Sequence, residues 1–293
     1  HRPEFAMSLN NLSSRLGAVG RLEEALEAVT EAVQIRRELA HTHPHSHRPA
    51  LAESLNSLSN RLGAVGRLEE ALETITEAVQ IWRELAHTHP DTYRPALATS
   101  LHNLSNRLGA VGRLEEALET ITEAADLRRE LAHTYPDAHR PDLAGSLNNL
   151  SNRLGAVGRW EEALEAVTEA VQIRRELAHT HPDTYRPDLA GSLNSLSNRL
   201  AALGRRHEAL EAITEAVQIR RELAHTHPDA HRPDLATSLH NLSNRLAALG
   251  RRDEALEAIT EAVQIWRELP PTHLTLYQEA SEQSLRALSY LQK

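Results

Sequence analysis

The side chains best placed to do chemistry are amides. Asn60, Asn106, Asn152, Asn198 and Asn244 recur every 46 residues, with Ser14 at the corresponding place in the first interval. Four residues earlier stand Asn10, Asn56, His102, Asn148, Asn194 and His240. Beside those stand Asn11, Asn103, Asn149 and Asn241, with Ser57 and Ser195 interrupting. An amide side chain offers two N–H donors and a carbonyl acceptor, which suits a peptide main chain whatever its side chains. Residues four apart share one face of a helix, so Asn148 and Asn152 point into one space. Asparagine is a mediocre helix former, and five copies in mid-helix ask for a reason. Two readings follow: the amides hold the backbone of a bound peptide, or they are ordinary solvated polar residues or bond a neighbouring helix.

Other residues point to less. His41, His43, His45 and His47 alternate through one stretch, echoed by His179/His181 and His225/His227. Zinc needs three or four ligands in fixed geometry with supporting partners. These histidines are read as a duplicated surface loop, and neither a metal nor a cofactor is expected. Arg15, Arg61, Arg107, Arg153, Arg199 and Arg245 form a second periodic row. Ion pairing with glutamates of the following helix is one reading, and acidic-peptide binding the other. Trp82 and Trp266 stand where other units carry Arg36 or Arg174, and Trp160 replaces a leucine. Each is either packed by its stem on the surface or exposed as a partner anchor. No carboxylate pair stands out from the repeated background as acid and base, and no phosphate cradle or Ser-His-Asp arrangement is present. No enzymatic activity is expected.

The elements that position these residues are set by an internal repeat. Arg-Pro opens a unit at Arg2, Arg48, Arg94, Arg140, Arg186 and Arg232, each 46 residues after the last. Six units, 1–46, 47–92, 93–138, 139–184, 185–230 and 231–276, leave a tail of 277–293 in a chain of 293 residues. In the fourth unit Leu143, Leu147, Leu150, Leu154 and Val157 form the apolar stripe of an amphipathic helix A. Pro141 fits its first turn and Gly158 its C-terminal stop. Ala163, Val167, Ala170, Val171, Ile173 and Leu177 supply the apolar side of helix B. Its glutamates at the start and arginines near the end complement the helix dipole. One hairpin cannot bury its own apolar faces, but stacked neighbours can. The tail is expected to add a capping helix, with Leu285 and Leu288 docked on the sixth unit and Glu279, Glu282 and Gln283 facing water.

Composition narrows the partners. A net charge of −9 argues against nucleic acid, whose phosphates need a basic footprint. No apolar run approaches the roughly 18 residues of a membrane span, and the lack of cysteine excludes thiolate chemistry. The chain opens in repeat phase without Met, so it reads as a piece of a longer protein, and a cytoplasmic location is expected.

The run Leu147-Asn-Asn-Leu150-Ser151, followed by Leu154, Gly158, Ala163, Val167 and Ala170, resembles a tetratricopeptide repeat and recurs six times. The unit is longer than the family's usual one, aromatics give way to Leu, Val or Ile, and Ser151 stands where Gly or Ala is common. These departures resemble the kinesin-light-chain-like branch, of the kind found as arms of bacterial signalling ATPases. The resemblance implies an all-α, right-handed superhelical solenoid with helix A lining a concave groove where extended peptides lie. It places Asn10, Asn56, Asn60, His102, Asn103, Asn106, Asn148, Asn149, Asn152, Asn194, Asn198, His240, Asn241 and Asn244 in that groove, as an asparagine ladder for a protein or peptide partner. The other reading is a structural scaffold, a homo-oligomer stacked through exposed repeat ends.

Overall fold

In a computed structural model, residues 1–269 and 277–292 are described; residues 270–276, which close the sixth unit, and Lys293 lie outside that set. Among the described residues there are thirteen α-helices and no strand. The A helices are α1 (Arg2–Ala18), α3 (Pro44–Ala64), α5 (Pro90–Ala110), α7 (Pro136–Ala156), α9 (Pro182–Ala202) and α11 (Pro228–Ala248). The B helices are α2 (Leu22–Thr42), α4 (Leu68–Thr88), α6 (Leu114–Thr134), α8 (Trp160–Thr180), α10 (Arg206–Thr226) and α12 (Arg252–Glu268). The tail forms α13 (Gln278–Leu291). The helices gather into two compact bodies, residues 1–146 and 147–293, each with its own internal packing.

The turn inside each hairpin follows from glycine. Gly158 has φ 79°, a left-handed conformation that costs a Cβ-bearing residue strain. The N–H of Arg159 then reaches the carbonyl of Leu154 at 2.9 Å and that of Gly158 reaches Gly155 at 3.2 Å, the paired bonds of a Schellman motif. Arg159 turns back to pair with Glu162 in the first turn of α8.

Between hairpins the structure departs from the loop that the sequence suggests, with Pro141 opening helix A. Instead α7 begins at Pro136 and carries Pro141 inside it, and α3 and α5 likewise carry Pro49 and Pro95. The first proline of each pair takes the helix start, where its missing N–H costs nothing. The second sits a turn and a half in and forgoes one backbone bond. The link between hairpins is then a single residue, such as His89, at once the end of α4 and the start of α5. Its ring packs edge-on against Tyr93 at 6.2 Å. His43 with His47, Tyr135 with His139, His181 with Tyr185, and His227 with His231 do the same. The alternating histidines therefore flank and cross a helix-to-helix elbow, rather than populating a loop.

Apolar burial holds hairpins together and to each other. Ala6 and Leu9 of α1 pack on Ala28, Ala32 and Ile35 of α2. Leu26 and Val29 of α2 join Leu62 and Ala71 of the next hairpin. In the second body, Val171 of α8 packs with Leu189 and Leu193 of α9 and with Ile213 and Ile219 of α10. Each fully buried Leu or Ile contributes about 1.5–3 kcal/mol. The serine that replaces the family's small residue is also accounted for. Ser59, Ser105, Ser197 and Ser243 donate across the hairpin to the carbonyls of Ala71, Ala117, Ala209 and Ala255, each at 2.8 Å.

The tail docks as expected in part. Leu288 packs on the core around Trp266, Leu291 is buried, and Glu279, Glu282 and Gln283 are exposed. Arg252 caps the C-terminus of α13 with two bonds to the Leu291 carbonyl, at 3.0 and 2.6 Å. Leu285, however, is 40% exposed. It matches Leu239 of α11, which is fully buried with α12 packed beside it, whereas among the described residues no B helix follows α13.

Candidate functional site

The asparagine rows divide by what they touch. Five of the six residues in the earlier row, all but Asn194, contact a buried serine 44 residues on. Asn10 donates to Ser54 at 3.0 Å and Asn56 to Ser100 at 2.6 Å. Ser192 donates to Asn148 at 3.3 Å, and His102 and His240 lie 3.4 and 3.1 Å from Ser146 and Ser284. Asn103 and Asn241 donate sideways to Asn56 and Asn194, at 3.3 and 3.0 Å. Asn149 is buried. These residues stitch one A helix to the next, and most are half-buried.

The later row is placed differently. Asn60, Asn152 and Asn198 accept from Arg107, Arg199 and Arg245 of the following repeat, at 3.0, 2.9 and 2.7 Å. Asn106 is half-buried and Asn244 exposed. The partner expected for these arginines is a glutamate of helix B; what they reach is the amide oxygen of the preceding A helix. Burial pushes the guanidinium pKa values of Arg107, Arg199 and Arg245 down from their ordinary range. Arg199 also lies over Trp160, 5.9 Å from the ring centre, which accounts for that tryptophan. Each bond fixes its amide with Oδ1 toward the cation. The Nδ2 groups of Asn60, Asn152 and Asn198 have no partner among the described residues.

One position differs from its sequence expectation as a surface site. Trp82 and Trp266 are buried, and so are Arg36 and Arg128 at the same place in their repeats. The arginines run from helix B to the next A helix. Arg128 reaches the Asp142 carbonyl at 3.1 Å, Ser146 at 2.5 Å and Thr99 at 3.3 Å. Arg174 reaches the Asp188 carbonyl at 3.0 Å, and Arg220 that of Asp234 at 2.5 Å. Where the buried residue is arginine, the next A helix supplies a carboxylate: Glu53, Asp142, Asp188 or Asp234. Where it is tryptophan, Ala96 or Ala280 stands 14 residues on, as Ala50 does after Arg36, and Thr99 or Gln283 stands at the place of Glu53. That pairing is visible in the sequence as a difference between otherwise identical units. Trp266 donates to Ser284 at 3.3 Å, whereas Trp82 Nε1 has no partner.

His240 brings a pH dependence. Burial holds its imidazole below the ordinary value of 6.5, so the folded state prefers it neutral. A depressed pKa means stability that is present above 6.5 and lost as pH falls below it. The bond it shares with Ser284 joins α11 to α13, so acidification should loosen α13 first. Thermal melts between pH 5 and 8 on wild type and His240→Asn should show a shallower acid loss in the variant, since Asn serves this position in other repeats.

Among the described residues no helix is long and apolar enough to cross a membrane, and no three His, Asp or Glu side chains come together as a metal-binding group. A family model described as tetratricopeptide repeat matches residues 5–45, 51–91, 97–132, 143–183, 189–229 and 235–269. Among solved structures, BtubC (BKLC) from P. vanneervenii is 21% identical with a TM-score of 0.66, covering 83% of this chain and 90% of that one. A putative kinesin light chain with nearly identical TPR-like repeats, from Podosopora anserina, is 23% identical with a TM-score of 0.59, covering 78% of this chain and 98% of that one. The apo form of RapI is 15% identical with a TM-score of 0.62, covering 96% and 97%. Identities this low speak to the fold. No curated protein matches the chain. Repeats of this kind are interaction scaffolds rather than catalytic folds. Six matched hairpins, the glycine turns and the shared architecture agree: the chain belongs to the tetratricopeptide repeat family.

Proposed function

We propose that the chain binds an extended segment or helix of a partner protein along the A-helix face of each of its two bodies. The observation that carries this reading is the state of Asn60, Asn152 and Asn198. Each has its oxygen held by an arginine and its N–H2 donors left without a partner among the described residues. Such amides are pre-oriented to donate to main-chain carbonyls of a ligand. Asn106 and Asn244 stand at the same place in their repeats. The earlier row of amides, occupied with serines, sets the spacing of the helices that present these donors.

Each neutral hydrogen bond contributes a net ~0.5–1.5 kcal/mol. Several in register support binding near −8 kcal/mol, about micromolar, once ordering costs are subtracted. The test is the triple variant Asn106→Ala, Asn152→Ala and Asn198→Ala, with a melting curve beside a titration of a partner captured from the source organism. We expect a folded protein and lost capture. Undiminished capture would place the ligand elsewhere, and an unfolded variant would make the amides structural.

A second reading, self-assembly, is favoured by the exposed Phe5, Met7 and Leu12 of α1 and the exposed Leu285 and Tyr290 of α13. Sedimentation across a concentration series checks it: a constant monomer mass excludes it.

A further inference from the structure

Resting on the reading of the A-helix face as a binding surface, we propose that the partner is an extended segment with a carboxylate side chain at about every third residue, each received by an arginine of the row Arg107, Arg199 and Arg245 beside its asparagine.

The arginines of this chain divide by their counter-charge. Arg94 pairs with Glu130 at 3.1 Å, and Arg83 and Arg221 pair with Glu123 and Glu261 at 2.5 Å. Arg113 and Arg159 pair with Glu116 and Glu162. Even the buried Arg128, Arg174 and Arg220 have Asp142, Asp188 and Asp234 acting on them. Arg107, Arg199 and Arg245 differ. They are partly buried, yet their hydrogen bonds go to neutral groups, the oxygens of Asn60, Asn152 and Asn198 and, for Arg245, also Ser197. Burial lowers their pKa, and no carboxylate among the described residues acts to raise it. A cation drawn partly out of water without a counter-charge weakens the fold, and a ligand carboxylate would relieve that cost.

What surrounds the row is donors. Each guanidinium takes up its asparagine's oxygen, so the pair presents the amide N–H2 and the remaining guanidinium N–H groups. Asn60 and Asn152 are exposed. No Asp or Glu occurs in residues 97–113, 143–159, 189–205 or 235–251, so the net charge of −9 is carried by other segments. A cation with surplus N–H donors beside it suits the two oxygens of a carboxylate. The first of these guanidiniums is also held in place, because it lies on the preceding A helix at Gly63, where a Cβ would collide with Arg107 Nη1.

The spacing of the acids follows from the repeat. Packed helices lie about 8–10 Å apart, and an extended chain advances about 3.3 Å per residue. Successive arginines, Arg61 and Arg107 in the first body or Arg199 and Arg245 in the second, therefore meet roughly every third residue of the ligand. The amide N–H2 groups then take main-chain carbonyls in between.

The probe is three pools of immobilised peptides, blocked at both ends so that no terminal carboxylate contributes. One fixes Glu at every third position, one fixes Gln at those positions, and one sets the same number of Glu side by side; neutral residues are mixed elsewhere. They are titrated with the full chain, with Arg107→Gln/Arg199→Gln/Arg245→Gln, and with Arg83→Gln, an exposed change on helix B. The spaced-Glu pool should bind wild type about ten-fold more tightly than the Gln pool, and more tightly than the clustered pool. That preference should vanish in the triple variant and persist in Arg83→Gln. Arg199→Gln and Arg245→Gln alone should each reduce it, even if the triple variant fails to fold. Equal binding of the spaced-Glu and Gln pools overturns the proposal while leaving the reading of the face in place. Equal binding of the two Glu pools overturns it as well, and so does a preference that survives the arginine variants or falls as much in Arg83→Gln. Binding of none of the pools overturns both the proposal and the reading of the face.

Discussion

Replacing Trp266 with alanine is expected to release the C-terminal helix, at a local cost of about 3–5 kcal/mol. Trp266 is 1% exposed and lies under α13, with its ring 5.5 Å from that of Tyr277 and its N–H on Ser284. Leu288 and Leu291 join the same core, and His240 shares the serine. Truncation removes an apolar contact of α13 and one of its polar ones. In a repeat array stability is a sum over neighbours, so the loss should stay at that end. Amide hydrogen exchange should rise by roughly a hundred-fold or more in α13, while α3 and α4 keep their protection. A uniform rise across the chain would mean that the array unfolds as one unit.

The second large effect concerns the buried arginines. Arg128→Ala should cost about 2–5 kcal/mol, because it empties a packed position and strands the groups its guanidinium bonded. Arg128→Met keeps the packing but strands the same groups, so it should cost less, about 1–3 kcal/mol. Burial pushes the Arg128 pKa down, so the folded state disfavours its charge even beside Asp142. The stem packs and the charge is tolerated. Paired denaturant melts on the two variants check this. Equal loss in both would show that the polar contacts, not the packing, hold the interface.

Much of the architecture is legible in the sequence. The 46-residue interval, the leucine stripe of helix A and the turn at Gly158 follow from periodicity and from one residue's freedom at positive φ. The elbow is not, because Pro136 and Pro141 each satisfy the rule for a helix start, and only packing chooses between them. The partner of Arg107 is not either. It reaches back 47 residues to Asn60, a contact made only once repeats stack, whereas reasoning along one helix looks to nearby glutamates. Trp82 and Trp266 read as surface residues because arginine is the alternative at that position. The accompanying loss of the acid, Ala96 in place of Asp142, carries the information that the site is buried. Leu285 keeps the repeat spacing but is 40% exposed, whereas Leu239 is buried in the core that α12 helps to form.

The central claim is that amides held by arginines from the next repeat donate to a ligand's backbone. The most direct measurement is a nitrogen-proton correlation spectrum of the chain labelled at asparagine, recorded during titration with the captured partner. The side-chain N–H2 signals of Asn60, Asn152 and Asn198 should shift together as ligand is added. Those of Asn10 and Asn56, already donating to Ser54 and Ser100, should stay in place. Saturable binding with the first set unmoved would contradict the account.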